Sequence, residues 1–389
     1  MNPTFQRLMR EATRLTSGGK LQAATAAIQR ALSRTSAQPT GPAPAAPNAG
    51  VLDGYVFEQP VAAPGWMPMP EPLSVPETAA KDAGPGAFLS GSHPHAGLTL
   101  NYKLYVPAGA TGRPLPMVVM LHGCTQDPDD FAAGTGMNEL AREQGFLVLY
   151  PAQSQSANPA RCWNWFKHNH QGRSGGEAAV IASMTQAVMR ERGVDPARVY
   201  IAGLSAGGAM AALVAAAYPE LYAALGVHSG LAPGAARSLP EGLAAMRGGA
   251  STLTPTPTAA AKGGHPVQSL RRPTIVFHGD RDATVHPTNG DQVISAVLAN
   301  SAQAEPGPAS DPVVEQGVTM QGQHYTRTVH GKGSGTDSGA ALAEHWVLHG
   351  AGHAWSGGQA AGSYTDTRGP DASREMLRFF FSHAVRAAH

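Results

Sequence analysis

One short run carries the strongest chemical signal in this 389-residue chain: Gly203-Leu204-Ser205-Ala206-Gly207, with Gly208 following. It comes directly after the apolar stretch Val199–Ala202 and opens a segment with helical spacing. A serine between small residues at a strand-to-helix turn sits on a tight, strained bend, the nucleophile elbow, with its hydroxyl at a helix N-terminus that favours developing negative charge. The alternative is a glycine-rich capping turn with an inert serine. A hydroxyl becomes a nucleophile only when a base takes its proton. In sites of this kind the chain order is serine, then acid, then histidine. Asp282 is the expected acid, in His278-Gly279-Asp280-Arg281-Asp282 beyond the apolar run Thr274–Phe277. Asp280 is the alternative acid, although its place in the tight turn reads as a cap. His353, in Gly350-Ala351-Gly352-His353-Ala354-Trp355 after His345–Leu348, is the expected general base, with His349, His345 and His286 as alternatives.

Acyl transfer by such a set also needs N–H donors for the oxyanion. The N–H of Ala206, next after the serine, is one. The other is assigned to Cys124 in His122-Gly123-Cys124, which follows the apolar run Met117–Leu121. His122 reads as ordering this loop, not as titrating in the reaction.

These residues need a frame that holds three loops at one end. Leu98–Val106 alternates as a strand. Met117–Leu121 is apolar throughout, the form of a strand buried on both faces. Strands are also expected at Phe146–Tyr150, Val199–Ala202, Leu225–His228, Thr274–His278 and His345–Leu348. Helices are expected at Met137–Gln144, Ala178–Arg192, Gly207–Tyr218 and Asp371–Ala387. Strands alternating with helices give an α/β fold, a mostly parallel, doubly wound sheet with helices on both faces. Ligands bind such sheets at the carboxyl ends of the strands.

The rest of the chain divides by composition. Residues 1–35 read as an amphipathic helical hairpin broken at Gly18-Gly19, and residues 1–34 carry six basic side chains against one acid. That segment is either a solvated helix pair or a docking element for a partner, a membrane surface or a hydrophobic granule. Its basic residues are spread out and no apolar block follows, so it does not read as a secretory signal. The expected location is cytoplasmic, or exported by a non-standard route. Residues 36–95 hold 12 of the 32 prolines and read as an extended Pro/Ala/Gly linker that cannot pair into a sheet. Residues 248–266 and 303–317 read as surface excursions, and residues 96–389 as the catalytic domain. With 28 Lys+Arg against 27 Asp+Glu, the chain has no general electrostatic pull toward nucleic acid. No apolar run is long enough for a membrane helix. Two cysteines are too few for a four-cysteine zinc site.

Leu121-His122-Gly123-Cys124-Thr125-Gln126, Tyr150-Pro151, Cys162-Trp163-Asn164-Trp165-Phe166, Gly203-Leu204-Ser205-Ala206-Gly207-Gly208 and Gly352-His353-Ala354-Trp355 resemble the polyhydroxybutyrate depolymerase/feruloyl esterase family of α/β-hydrolases. The similarity covers roughly residues 98–387. It implies a serine esterase without metal or organic cofactor, with Ser205 as nucleophile, Asp282 as acid, His353 as base, and Cys124 and Ala206 as oxyanion donors. It also favours a Cys124–Cys162 disulfide over two free thiols, and a bridge would argue for a periplasmic or extracellular site.

The substrate-binding candidates are aromatic. Trp163, Trp165 and Phe166 form either a platform beside Ser205 or a lid packed on the core. Trp355 either lines the cleft or is buried and holds the histidine loop. The expected function is hydrolysis of short-chain polyhydroxyalkanoate-type polyesters, their oligomers and small soluble esters. Feruloyl or acetyl esters of plant polysaccharide are the alternative. A catalytically silent hydrolase-fold binding protein and a peptidase of the same fold are the remaining readings.

Overall fold

A strand that is apolar at every position needs cover on both faces, and Met117–Leu121 receives it. In this computed structural model, residues 86–110, 112–250, 270–304, 311–332 and 340–385 are described. The strands are β1 (Ala87–His95), β2 (Leu98–Val106), β3 (Met117–Leu121), β4 (Leu147–Ala152), β5 (Val199–Leu204), β6 (Ala224–His228), β7 (Thr274–Gly279), β8 (Val313–Val318), β9 (His324–Lys332), β10 (Ala341–Leu348), β11 (Trp355–Ser356) and β12 (Thr365–Asp366). The helices are α1 (Pro128–Thr135), α2 (Met137–Gln144), α3 (Gly176–Arg192), α4 (Ala206–Ala217), α5 (Leu239–Gly248), α6 (Thr288–Ala304) and α7 (Ala372–Phe380).

Ten strands form one sheet in the order β1-β2-β4-β3-β5-β6-β7-β10-β9-β8. The central strands β4, β3, β5, β6, β7 and β10 run parallel. Antiparallel pairs β1–β2 and β9–β8 extend the two edges. Alternate side chains of β3 serve the two faces, as the period of a strand requires. Met117, Val119 and Leu121 pack with Ile181, Met184 and Met210 of α3 and α4. Val118 and Met120 pack with Phe131, Leu140 and Phe380 of α1, α2 and α7. No helix among the described residues is long and apolar enough to cross a membrane.

Several boundaries differ from the sequence expectation. The helical hairpin expected at 1–35 and the linker through residue 85 lie outside the described residues. The last nine residues of the expected 36–95 linker are instead strand β1, paired along its whole length with β2. Pro94 is tolerated there because β1 is an edge strand, where the missing N–H costs no ladder bond. Within 303–317, α6 continues to Ala304 and β8 begins at Val313. Val313, Val314 and Val318 are more than half exposed, so no buried face marks this edge strand in the sequence. Residues 251–269, most of the other expected excursion, lie outside the described residues. Helix α7 stops at Phe380, short of Ala387, where Phe381 N–H bonds back to the Leu377 carbonyl. The chain then turns to bury His383 and to donate Val385 N–H to the Ala197 carbonyl at 2.8 Å.

Candidate active site

Strand register brings the loops of interest to one end of the sheet. Leu204 pairs with His228, His228 with Phe277, and Gly279 with Leu348. The turns after β5, β6, β7 and β10 therefore open side by side at the carboxyl ends of parallel strands.

Ser205 takes the turn between β5 and α4 with φ 57° and ψ −120°, a left-handed φ that costs a non-glycine residue of order 1–3 kcal/mol. Its N–H donates to the His228 carbonyl at 2.8 Å, tying the bend to the next strand. The flanking glycines are required by contact. A Cβ on Gly207 would lie 2.0 Å from the Leu121 carbonyl oxygen, and one on Gly203 would lie 2.4 Å from Gly207 backbone. Of the six non-glycine residues with positive φ among the described residues, five are Thr125, Arg161, Ser205, Ser229 and Tyr364, in the loops that follow β3, β4, β5, β6 and β11. The sixth, Ala96, turns the β1–β2 hairpin.

Asp282 follows β7 with its carboxylate buried. Oδ1 accepts the N–H groups of Thr284 at 2.9 Å and Val285 at 2.8 Å, and Oδ2 lies 2.6 Å from His353 Nδ1. Burial pushes the Asp282 pKa up, but the His353 bond and charge and the two N–H donors outweigh it and hold the carboxyl below its usual range. Asp280 has a different task. It accepts the Gly350 N–H at 2.6 Å and pairs with His349 Nδ1 at 3.0 Å, bracing the loop that leads to His353. Neither His345, which is buried with Asp291 3.8 Å away, nor His286, bonded to Thr288, contacts Asp282.

The loop after β3 is cross-braced. His122 Nδ1–H donates to the Gly123 carbonyl at 2.8 Å, and Nε2 accepts the Gln153 N–H at 3.1 Å. Burial pushes this imidazole down to about 4, so it is neutral at physiological pH. Gly123 N–H donates to Gln126 Oε1 at 2.9 Å, and Thr125 N–H donates to the Ala160 carbonyl at 2.6 Å. Cys124 between them is bridged to Cys162, with the two Cα atoms 4.2 Å apart. Among the described residues, no group of three or more His, Cys, Asp or Glu side chains is arranged to hold a metal ion.

Of the three tryptophans expected at the substrate, Trp163 and Trp355 take their buried alternative and act as supports, and Trp165 is buried beside Phe166. Trp163 is fully buried and its indole N–H donates to the His122 carbonyl at 3.0 Å. Trp355 is 1% exposed, donates to Ser373 Oγ at 3.1 Å and stacks on His228 at 5.1 Å. Trp165 is 5% exposed and packs edge-on to Phe166. A tryptophan in a core loop is held by its apolar area and by a partner for its N–H, and for Trp163 and Trp355 both needs are met inside the protein.

Three other residues support the site, and the sequence alone assigns a role to none of them. Glu177, 2% exposed in the first turn of α3, accepts Asn164 N–H at 2.7 Å, Asn164 Nδ2 at 2.5 Å and Gln153 Nε2 at 2.7 Å, so it fixes the tryptophan loop. His228, fully buried, accepts Ser356 N–H at 3.0 Å, and burial pushes its pKa to about 3. Gln126 links the Cys124 loop to Asp130 and Ser363. A glutamate directly after the glycine pair Gly175-Gly176 is the one available signal for the first, nothing in the sequence marks His228 as a support, and Gln126 stands out only as part of the Leu121–Gln126 motif.

The comparisons agree with this frame. Residues 100–307, more than half of the chain, match the family described as Esterase PHB depolymerase. A poly(3-hydroxyalkanoate) depolymerase C of Paucimonas lemoignei is 34% identical over 194 residues, 49% of this chain and 46% of that protein. Acetylxylan esterase A of Talaromyces purpureogenus is 29% identical over 288 residues, 67% of this chain and 74% of that protein. The chain thus spans under half the length of the depolymerase it matches. The solved acetyl xylan esterase from Aspergillus awamori shares the fold with a TM-score of 0.56 at 20% identity, over 76% of this chain and all of that one. On the match over more than half of its length, the chain belongs to the Esterase PHB depolymerase family.

Proposed function

We propose that this chain hydrolyses carboxylic esters through Ser205, His353 and Asp282. The observation that carries the reading is the 2.6 Å bond between His353 Nδ1 and the buried Asp282 carboxylate, in loops that open beside the elbow serine. With Nδ1–H committed to Asp282, the neutral imidazole keeps Nε2 as a base. His353 takes the Ser205 proton as Oγ bonds to the ester carbonyl carbon. The imidazolium then protonates the leaving alcohol as the carbon–oxygen bond breaks. Water adds to the acyl-enzyme, losing its proton to His353, and the acid leaves as Ser205 is restored.

Cys124 and Ala206 supply the oxyanion donors. As the first residue of α4, Ala206 has an N–H with no acceptor inside the helix. In the β3 loop the N–H groups of Gly123 and Thr125 are already committed, and the Cys124 N–H between them is the one left to a ligand. Short-chain polyhydroxyalkanoate oligomers and small soluble esters are the first substrate class, supported by the relative named poly(3-hydroxyalkanoate) depolymerase C. Acetyl esters of polysaccharide are the second, supported by the longer match to acetylxylan esterase A.

A fluorophosphonate probe should label the wild type and not Ser205→Ala. Hydrolysis of 3-hydroxybutyrate oligomers and of acetylated xylan, run side by side, ranks the two substrates. An unlabelled wild type that turns over neither overturns the reading.

A further inference from the structure

Tyr364 stands out among the exposed large side chains. It is 47% exposed, yet both its ends are tied to the loops that carry the proposed chemistry. Its carbonyl accepts the Trp355 N–H at 2.7 Å, two residues beyond His353. Its hydroxyl lies 3.1 Å from Thr125 Oγ1, next in the chain to Cys124. Thr125 Oγ1 spends its own hydrogen on the Cys124 carbonyl at 2.6 Å, so the phenol is the donor to it. The backbone at Tyr364 is held at φ 52°. The preceding residues enforce that strain: Ser363 N–H and Oγ donate to Asp130 at 2.8 and 2.6 Å, and a Cβ on Gly362 would lie 2.3 Å from Gly134 Cα. An L-residue fixed in this conformation, with its large side chain on the exposed surface, needs a reason that packing does not supply, and such outliers gather at ligand sites.

We infer that Tyr364 is a specificity-determining residue of the ester cleft, its ring being the apolar platform for the part of the acyl group beyond the reacting carbonyl. The inference rests on the Ser205–His353–Asp282 reading above. The hydroxyl anchors the ring between the proposed oxyanion loop and the histidine loop, and the exposed face gives carbon chain a surface that the buried tryptophans do not. An acetyl group is too short to use that surface; a longer acyl chain covers it.

The test is a series of p-nitrophenyl esters from acetate to hexanoate, with one leaving group throughout, on the wild type, Tyr364→Ala and Tyr364→Phe. In Tyr364→Ala the hexanoate-to-acetate ratio of kcat/KM should fall about tenfold, within the range for losing a small apolar contact. Tyr364→Phe, which keeps the ring and loses the tether, should keep most of the ratio. An unchanged ratio in Tyr364→Ala overturns the inference, as does a Tyr364→Phe ratio as low as that of alanine, which would assign the effect to the hydroxyl alone. If Tyr364→Ala does not fold, Tyr364→Ser is read on the same ratio. Fluorophosphonate labelling of the wild type separates the two levels: a labelled serine with an unchanged ratio rejects only the role of Tyr364, whereas an unlabelled one rejects the triad beneath it.

Discussion

His353 Nδ1 and Asp282 Oδ2 are joined by a 2.6 Å hydrogen bond across 71 residues of chain, and the carboxylate beneath the imidazole is buried. Replacing Asp282 with asparagine keeps the shape and loses the charge that selects the tautomer. Asp282→Asn should lower kcat by about 10⁴ with little change in KM, read in steady-state ester hydrolysis. Asp280→Asn, which loosens only the brace at Gly350 and His349, should cost far less. Equal losses from the two would reject Asp282 as the acid.

The elbow glycines make a prediction about folding. A methyl at position 207 has nowhere to go, because it meets the Leu121 carbonyl at 2.0 Å and the His122 carbonyl at 2.5 Å. Backbone on both sides cannot yield as a side chain would. Gly207→Ala should therefore destabilise the protein by about 3 kcal/mol or more, measured by urea unfolding. A midpoint like that of the wild type would mean that β3 and α4 pack less closely than described.

Two neutral imidazoles make stability depend on pH. Burial holds His122 near 4 and His228 near 3, while in the unfolded chain both titrate near 6.5. Above that value the folded and unfolded states bind the same protons here, and this part of the stability is fully present. Below it the unfolded chain takes up protons that the fold excludes, so stability is lost as pH falls from about 6.5 toward 4. The expected loss between pH 7.5 and pH 5 is about 4 kcal/mol for the pair. Asp282, held below the usual carboxyl range, adds its own loss only below about pH 4. A melting temperature that stays level from pH 7.5 to pH 5 would contradict the burial of these rings.

The Cys124–Cys162 bridge closes a separation of 38 residues. Chain-entropy arguments give about 4 kcal/mol for a loop of that length. Cys162→Ser should lower the melting temperature accordingly. It should also lower kcat under conditions where the variant is still folded, because Cys124 carries a proposed oxyanion donor. Dithiothreitol should reproduce both effects in the wild type and neither in the variant.

Much of this protein was legible from local chemistry. Continuous apolar runs at Met117–Leu121 and Thr274–His278 have no stable setting except a strand covered on both faces, and β3 and β7 fall there. The Gly-x-Ser-x-Gly bend is written in side-chain size, since only glycine fits where β5 meets α4. Helix α1 is not among the expected elements, although residues 127–136 carry a start and a stop: Asp127 caps the Asp130 N–H, Pro128 opens α1, and Gly136 closes it in the left-handed region. Other features belong to the tertiary structure alone. Strand β1 shows no buried face because it lies at an edge, so its proline-containing sequence looked like linker. Trp163 and Trp355 have the composition of a binding surface, and only their burial against His122 and Ser373 makes them supports. The placement of Tyr364 between the Thr125 and Trp355 loops depends on Asp130, Gly134 and Thr125, more than 200 residues away in sequence. Residue type determines which strand, turn or nucleophile can form, because those choices are made over a few neighbouring bonds. Which surface ends up buried, and which ring faces a substrate, is decided by contacts between distant segments, and these exist only once the sheet has assembled.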